Sequence, residues 1–205
     1  MRTIALIDYG AGNLRSAERA LIAAGARDVR VTDDPQIVTA ADRIVLPGQG
    51  AFADCMAGLK GRPGLVEALE RSVRKDAKPF LGICVGMQLL AERGLEHGET
   101  PGLGWIGGVC RKLDAGGERL PHMGWNAAAP TRPHPVLDAL QPRTFMYFAH
   151  SFVLDAPDRV AAWTEHGESF ASAVADQNIL GVQFHPEKSQ AAGLALLARF
   201  LDWKP

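Results

Sequence analysis

The chain has 205 residues, 47% of them hydrophobic, and 22 basic against 23 acidic side chains give it a formal charge of -1. This composition excludes a disordered or fibrous polymer, and neither sign of charge forms a block that would track nucleic acid or an anionic membrane. The length suits one core, so a single domain spanning residues 1–205 is expected. Cys55, Cys84 and Cys110 are an odd number without short paired spacing, which argues against a disulfide framework or a zinc site and for a reducing cytoplasm. The start of the chain lacks the apolar run of a signal peptide, and no stretch is long enough to cross a bilayer.

In chain order, Thr3 to Asp8 reads as a buried strand and GAGN as a turn. Leu14 to Ala24 follows as a helix with Leu14, Ala17, Leu21 and Ile22 on one face. Val29 to Val31 and Arg43 to Leu46 are further strands, the second ended by PGQG. Leu65 to Lys75 is predicted helical with Leu65, Ala68, Leu69 and Val73 inward, and Phe80 to Ile83 is again a strand. A helix is expected just after Cys84, with Met87, Leu89, Leu90 and Ala91 as its apolar members and Gly94 as its stop. This alternation implies an α/β fold around a mostly parallel sheet flanked by helices.

From Trp105 the pattern becomes β-rich, with strands predicted at Val109 to Leu113, Phe145 to Leu154, Val160 to Glu165, Ala171 to Ala175 and Ile179 to Phe184. Ser189 to Trp203 closes the chain as a helix. With no repeat and no linker in view, the two halves are expected to share one sheet system.

The strongest chemical signal is PFLGICVGMQLL, a strand running into G-x-C-x-G and then into a helical pattern, the context of a nucleophile elbow. Cys84 would sit at its tip, with Gly82 and Gly86 allowing the close turn. A thiolate needs a base held by a third group, and GVQFHPEKS supplies His185 and then Glu187 after an apolar strand. Pro186 biases His185 towards extended backbone, so that the imidazole projects from the strand end. Donors for a developing oxyanion would be the backbone amides of Val85, next to the nucleophile, and of Gln49 in the PGQG loop. Taken singly, each signal has a plain rival reading: a buried core cysteine, a polar surface turn, a strand-ending loop. All three fall at predicted strand ends, where open α/β sheets hold their sites, and that agreement favours a cysteine-nucleophile acyl transferase or hydrolase. Cys55, in the polar stretch ADCMAGLK, and Cys110, in a strand, have no such context.

IDYGAGNLRS, LPGQGAF, GICVGMQLL, LPHMGWN, YFAHSF and GVQFHPEKS occur in one order along nearly the whole chain. On these motifs the chain resembles the class I glutamine amidotransferases, which hydrolyse the side-chain amide of glutamine and pass the ammonia to a partner. IDYGAGN, PHMGWN and HPEKS narrow the resemblance to glutaminases that serve a (β/α)8-barrel cyclase in histidine biosynthesis. The resemblance implies a Cys84, His185, Glu187 triad, Gln49 and Val85 as oxyanion donors, and Gly50, Gln88, Glu96 and Ser151 around the substrate, with Glu96 suited to its α-ammonium group. It also implies a heterodimer with the cyclase, bordered by Asn13, Pro121, Met123, Trp125 and Lys188, and no metal or other cofactor. A core role for Met123 and Trp125 is the competing view, which burial would support. Gln49 stands where many relatives carry an apolar residue, and Phe152 replaces a frequent Tyr. Two alternatives stay open: a glutaminase for another synthase, such as anthranilate synthase, and a scaffold that binds without turnover.

Overall fold

The computed structural model describes residues 2–140, 142 and 144–205. Strand β1 (Thr3–Ile7) leads through helix α1 (Leu14–Ala23) to β2 (Asp28–Thr32), and α2 (Pro35–Ala40) leads on to β3 (Arg43–Gly48). Two further helices, α3 (Phe52–Lys60) and α4 (Leu65–Glu70), precede β4 (Phe80–Cys84), which runs directly into α5 (Val85–Gln88). Short strands β5 (Arg93–Gly94) and β6 (Thr100–Pro101) and then β7 (Val109–Lys112) follow. The β-rich half comprises β8 (His122–Pro130), β9 (Thr144–His150), β10 (Phe152–Asp155), β11 (Val160–His166), β12 (Glu168–Asp176) and β13 (Ile179–Val182), and α6 (Gln190–Asp202) ends the fold.

One nine-stranded sheet has the order β2-β1-β3-β4-β13-β12-β11-β8-β9, and a smaller one the order β10-β7-β5-β6. The pairs from β2 through β13 are parallel, and β12, β11, β8 and β9 continue the large sheet antiparallel. Strands β3, β4 and β13 are buried along their whole length, which is why they read as unbroken apolar runs without alternation. The decisive pairing is β13 with β4: Ile179 to Val182 lie opposite Phe80 to Ile83 in parallel register. It carries the chain that follows β13 to the same sheet edge as the chain that follows β4. Both halves therefore share the large sheet, as the sequence implies.

Several local expectations need correction. Ile22 is 54% exposed, and Ala20 takes the inward place beside Ala17 and Leu21. The helix after Cys84 stops at Gln88 instead of running to Gly94. Beyond it the carbonyls of Leu89, Leu90 and Ala91 accept from Leu103, Ile106 and Gly104 across a returning loop, so this apolar run is buried on all sides instead of forming one helix face. Leu65 to Lys75 ends in a π-helical turn over Arg71–Lys75, although its four predicted inward residues are buried. Phe145 to Leu154 is not one strand: the chain breaks at Ser151, and β9 and β10 join different sheets. Helix α2, strand β8 and helix α3, which carries buried Cys55, were not anticipated.

Candidate active site

Between β4 and α5 the backbone of Cys84 takes φ 55° and ψ −112°, a combination that costs a residue with a Cβ on the order of 1–3 kcal/mol. Close packing beneath the turn enforces it. A Cβ on Gly82 would lie 2.6 Å from the Gly86 carbonyl oxygen, and one on Gly86 would collide with the carbonyl of Leu46 on neighbouring β3. The G-x-C-x-G spacing thus lets three backbone segments meet while the cysteine side chain turns towards the open sheet edge. The α5 helix is a single turn, so its dipole adds less to the site than a long helix would.

His185 leaves the end of β13 on the adjacent strand, and its backbone N–H donates to the Tyr147 carbonyl at 2.8 Å. Ser189 fastens this corner: its hydroxyl donates to the His185 carbonyl at 2.6 Å and accepts from the Tyr147 N–H at 2.9 Å. The Nδ1 of His185 lies 2.7 Å from Oε1 of Glu187, and both side chains are buried. A carboxylate can only accept there, so Nδ1 carries the proton and Nε2 is left for the sulfur. Burial draws the His185 pKa down, but the Cys84 sulfur and the Glu187 carboxylate outweigh it and push it up to about 10. An imidazole so placed can hold a proton beside a thiolate and release it to a leaving group.

Cys84 opens into a cavity of about 210 Å³. Gln49, Gly50, Val85, Gln88, Glu96 and Ser151, all expected around the substrate, line it. Pro121, expected at the partner face, lines it as well. Glu96 accepts from the Phe52 N–H at 2.8 Å through Oε2. The PGQG loop is braced from beneath: the Tyr9 hydroxyl donates to the Pro47 carbonyl at 2.7 Å, and the Cys55 thiol lies 3.6 Å from the Gln49 carbonyl. Burial raises the pKa of both groups and keeps them protonated as donors.

A larger cavity of about 380 Å³, walled by Arg2, Arg43 and Asp202, lies at the opposite strand ends. Two of the Arg43 donors are spent on the Leu201 and Trp203 carbonyls, and among the described residues no nucleophile faces it. Size alone does not make it the site. Among the described residues no group of three His, Cys, Asp or Glu side chains could hold a metal ion.

Met123 is 64% and Trp125 46% exposed, which overturns the core alternative for both. They stand opposite Ala149 and Tyr147 in the β8–β9 pair, and Ala149 lines the cavity, so one strand face runs from the cavity outward. Phe145, 54% exposed and two positions along from Tyr147, extends that face and was missed by the sequence reading. Asn13 is the exposed N-cap of α1, accepting from the Ser16 N–H at 3.2 Å, and Lys188 holds its Nζ 5.8 Å from the Tyr147 ring centre.

Three further buried polar residues border the site. His122 Nδ1 lies 3.0 Å from His150 Nε2, and His150 Nδ1 lies 3.1 Å from the Phe152 carbonyl. Since that carbonyl only accepts, His150 is protonated on Nδ1 and receives the His122 proton on Nε2. Burial holds both rings neutral, with pKa values lowered to about 4 for His122 and about 3 for His150. Gln183, next to the end of β13, is wholly buried with its amide nitrogen 3.7 Å from the Cys84 sulfur. A lone polar residue inside an apolar strand, as in GVQFH, is the signal that points to it.

The family model for glutamine amidotransferase class-I matches residues 5–203. An imidazole glycerol phosphate synthase subunit HisH from Caulobacter vibrioides is 54% identical over the whole of both chains. The subunit of the same name from Zymomonas mobilis is 53% identical over 99% of this chain and 97% of its own length. Among solved structures, PurLQS from Thermotoga maritima aligns with a TM-score of 0.75 at 20% identity, covering 98% of this chain and 99% of that one. A structure described as a glutamine amidotransferase aligns with a TM-score of 0.74 at 18% identity over 97% of each chain. These two likenesses concern the fold alone.

Proposed function

The chain belongs to the class I glutamine amidotransferase family, and we propose that it is the glutaminase subunit of an imidazole glycerol phosphate synthase in histidine biosynthesis. In this reading residues 1–205 form one domain that hydrolyses glutamine and passes ammonia to a (β/α)8-barrel cyclase. The cyclase would use it to make imidazole glycerol phosphate and aminoimidazole carboxamide ribonucleotide. The observation that carries the chemistry is the buried row of Cys84, His185 and Glu187, whose cysteine opens into the cavity.

Cys84 Sγ attacks the carboxamide carbon of glutamine, and the backbone amides of Val85 and Gln49 receive the oxyanion. The C–N bond breaks, His185 gives its proton to the departing nitrogen, and a glutamyl thioester and ammonia remain. Water that loses a proton to His185 then attacks the thioester, releasing glutamate and returning the sulfur as thiolate. Glu187 keeps the imidazole in the tautomer that serves both steps. Glu96 pairs with the substrate's α-ammonium group, while Gly50, Gln88 and Ser151 shape the rest of its pocket.

The exposed apolar face of Met123 and Trp125, together with Asn13, Pro121 and Lys188, is the surface this reading gives to the cyclase. Continuity of that face with the cavity through Ala149 provides ammonia a short route out of water, where it would be protonated. The three buried free cysteines suit a reducing cytoplasm, which we take as the compartment.

The test is glutamate release from glutamine by the purified chain, alone and with the cyclase and its nucleotide ligand. Strong stimulation by cyclase plus ligand, abolished by Cys84→Ser, is expected. Turnover that ignores the cyclase would remove the coupling and leave the glutaminase.

A further inference from the structure

Gln183 has no part in the mechanism above, yet its amide touches the nucleophile. It follows β13, is wholly buried, and is anchored by its own N–H to the Ser172 carbonyl at 2.9 Å. Which end of the amide faces the sulfur can be reasoned out from neighbours. The Phe152 carbonyl can only accept, so the Gln88 group 2.8 Å away must be its nitrogen. That same nitrogen lies 3.1 Å from the Gln183 side chain, where a second nitrogen would repel it, so Gln183 presents Oε1 to Gln88. Its Nε2 therefore faces Cys84 Sγ, at 3.7 Å.

We propose that Gln183 is a positioning residue for the nucleophile, pointing an amide N–H at Cys84 Sγ so that the sulfur is fixed and favoured as an anion. The surroundings make that donor consequential. On another side of the sulfur stands the Ala149 carbonyl at 4.0 Å, which can only accept and so favours the protonated thiol. His185 holds its proton beside the thiolate before attack and again when the thioester has been hydrolysed, and at both stages the Gln183 N–H is a second donor to that anion. Gln88 sets the direction of this donor, and both Gln88 hydrogens are committed in doing so, which leaves Gln88 Oε1 as the atom offered to the cavity.

The inference rests on the reading of Cys84 as the nucleophile, and the experiment separates the two. The full chain is alkylated with iodoacetamide from acid to alkaline pH, modification at each cysteine is followed by mass spectrometry, and glutamine hydrolysis is measured with cyclase and ligand present. Gln183→Met removes the donor at similar length. Gln183→Leu removes the donor without placing a charge beside the sulfur, and decides the matter if the first variant folds poorly. In both, alkylation of Cys84 is expected to need higher pH and to be roughly tenfold slower at neutral pH. The value of kcat should fall with little change in KM, because the sulfur acts in the chemistry and not in binding. Midpoints equal to that of the unaltered chain would overturn the role of Gln183 alone. Absence of preferential alkylation at Cys84 in the unaltered chain, with no glutamate formed, would overturn the glutaminase reading and this inference with it.

Discussion

His185 Nδ1 and Glu187 Oε1 stand 2.7 Å apart on a turn so short that Pro186 alone separates the two residues. The carboxylate and the Cys84 sulfur together overcome the effect of burial and raise the imidazole to about 10. Glu187→Gln removes one of these two supports. The imidazolium proposed to protonate the departing nitrogen is then lost at lower pH, so the alkaline limb of the glutamine hydrolysis profile should move down. The amide can also present its N–H₂ to Nδ1 and favour the wrong tautomer, lowering kcat by about 10²-fold or more. A kcat–pH profile of the variant beside the unaltered chain checks both effects.

The stacked and hydrogen-bonded histidines of β8 and β9 make a separate prediction about stability. His122 and His150 are neutral in the fold, with pKa values of about 4 and about 3, against 6.5 for the free side chain. Below pH 6.5 the unfolded chain therefore binds more protons than the folded one, and stability falls as the pH drops towards 4. Each histidine should lower the melting temperature by roughly 3–5 °C per pH unit across that window. Thermal melts between pH 7 and 4 should show this slope, and His150→Gln should flatten it. The neighbouring His166, stacked on His122 and paired with Glu118, is left unchanged in that variant.

The placement of Cys84 and His185 at neighbouring strand ends was legible because each sits where an apolar run meets small or cyclic residues, GICVG and FHPE, and such boundaries are written locally. Strand order is not: that β13 returns beside β4 follows from the crossing of the whole second half, which no window of sequence contains. Helix α5 was overextended because Leu89, Leu90 and Ala91 have the composition of a helix face but are buried on every side. Strand β8 escaped because HMGWNAAAP alternates poorly: Met123 and Trp125 lie on its exposed face, where solubility alone would not place them. His122, His150 and Gln183 stand inside LPHMGWN, YFAHSF and GVQFHPEKS, but their contacts arise from pairings between distant stretches, His122 with His150 and Gln183 with Cys84.

The exposure of Trp125, which meets the Tyr147 ring edge-on at 6.2 Å, bears on the surface proposed for the cyclase. Large exposed aromatics that are clustered with other apolar side chains tend to carry much of a binding energy. Trp125→Ala should weaken association with the cyclase by tenfold or more in a calorimetric titration. The melting temperature of the isolated chain should change little, since the ring adds little to the core. Unchanged affinity would move the partner surface elsewhere on the molecule.

At the elbow, Cys84 combines the side chain proposed as nucleophile with a backbone that only glycine adopts without cost, φ 55° and ψ −112°. The packing of Gly82 against Gly86 and of Gly86 against Leu46 holds this turn whatever residue occupies its tip. Cys84→Ala should therefore retain the strained backbone, while Cys84→Gly should relieve it. Both variants lose hydrolysis, but glycine should be the more stable by about 1 kcal/mol, after allowing for the larger entropy of its unfolded chain. The comparison is made from the urea midpoints at equal slope. Alanine equal to or above glycine would mean that the elbow carries no strain, and the nucleophile's exposure would then rest on side-chain packing alone.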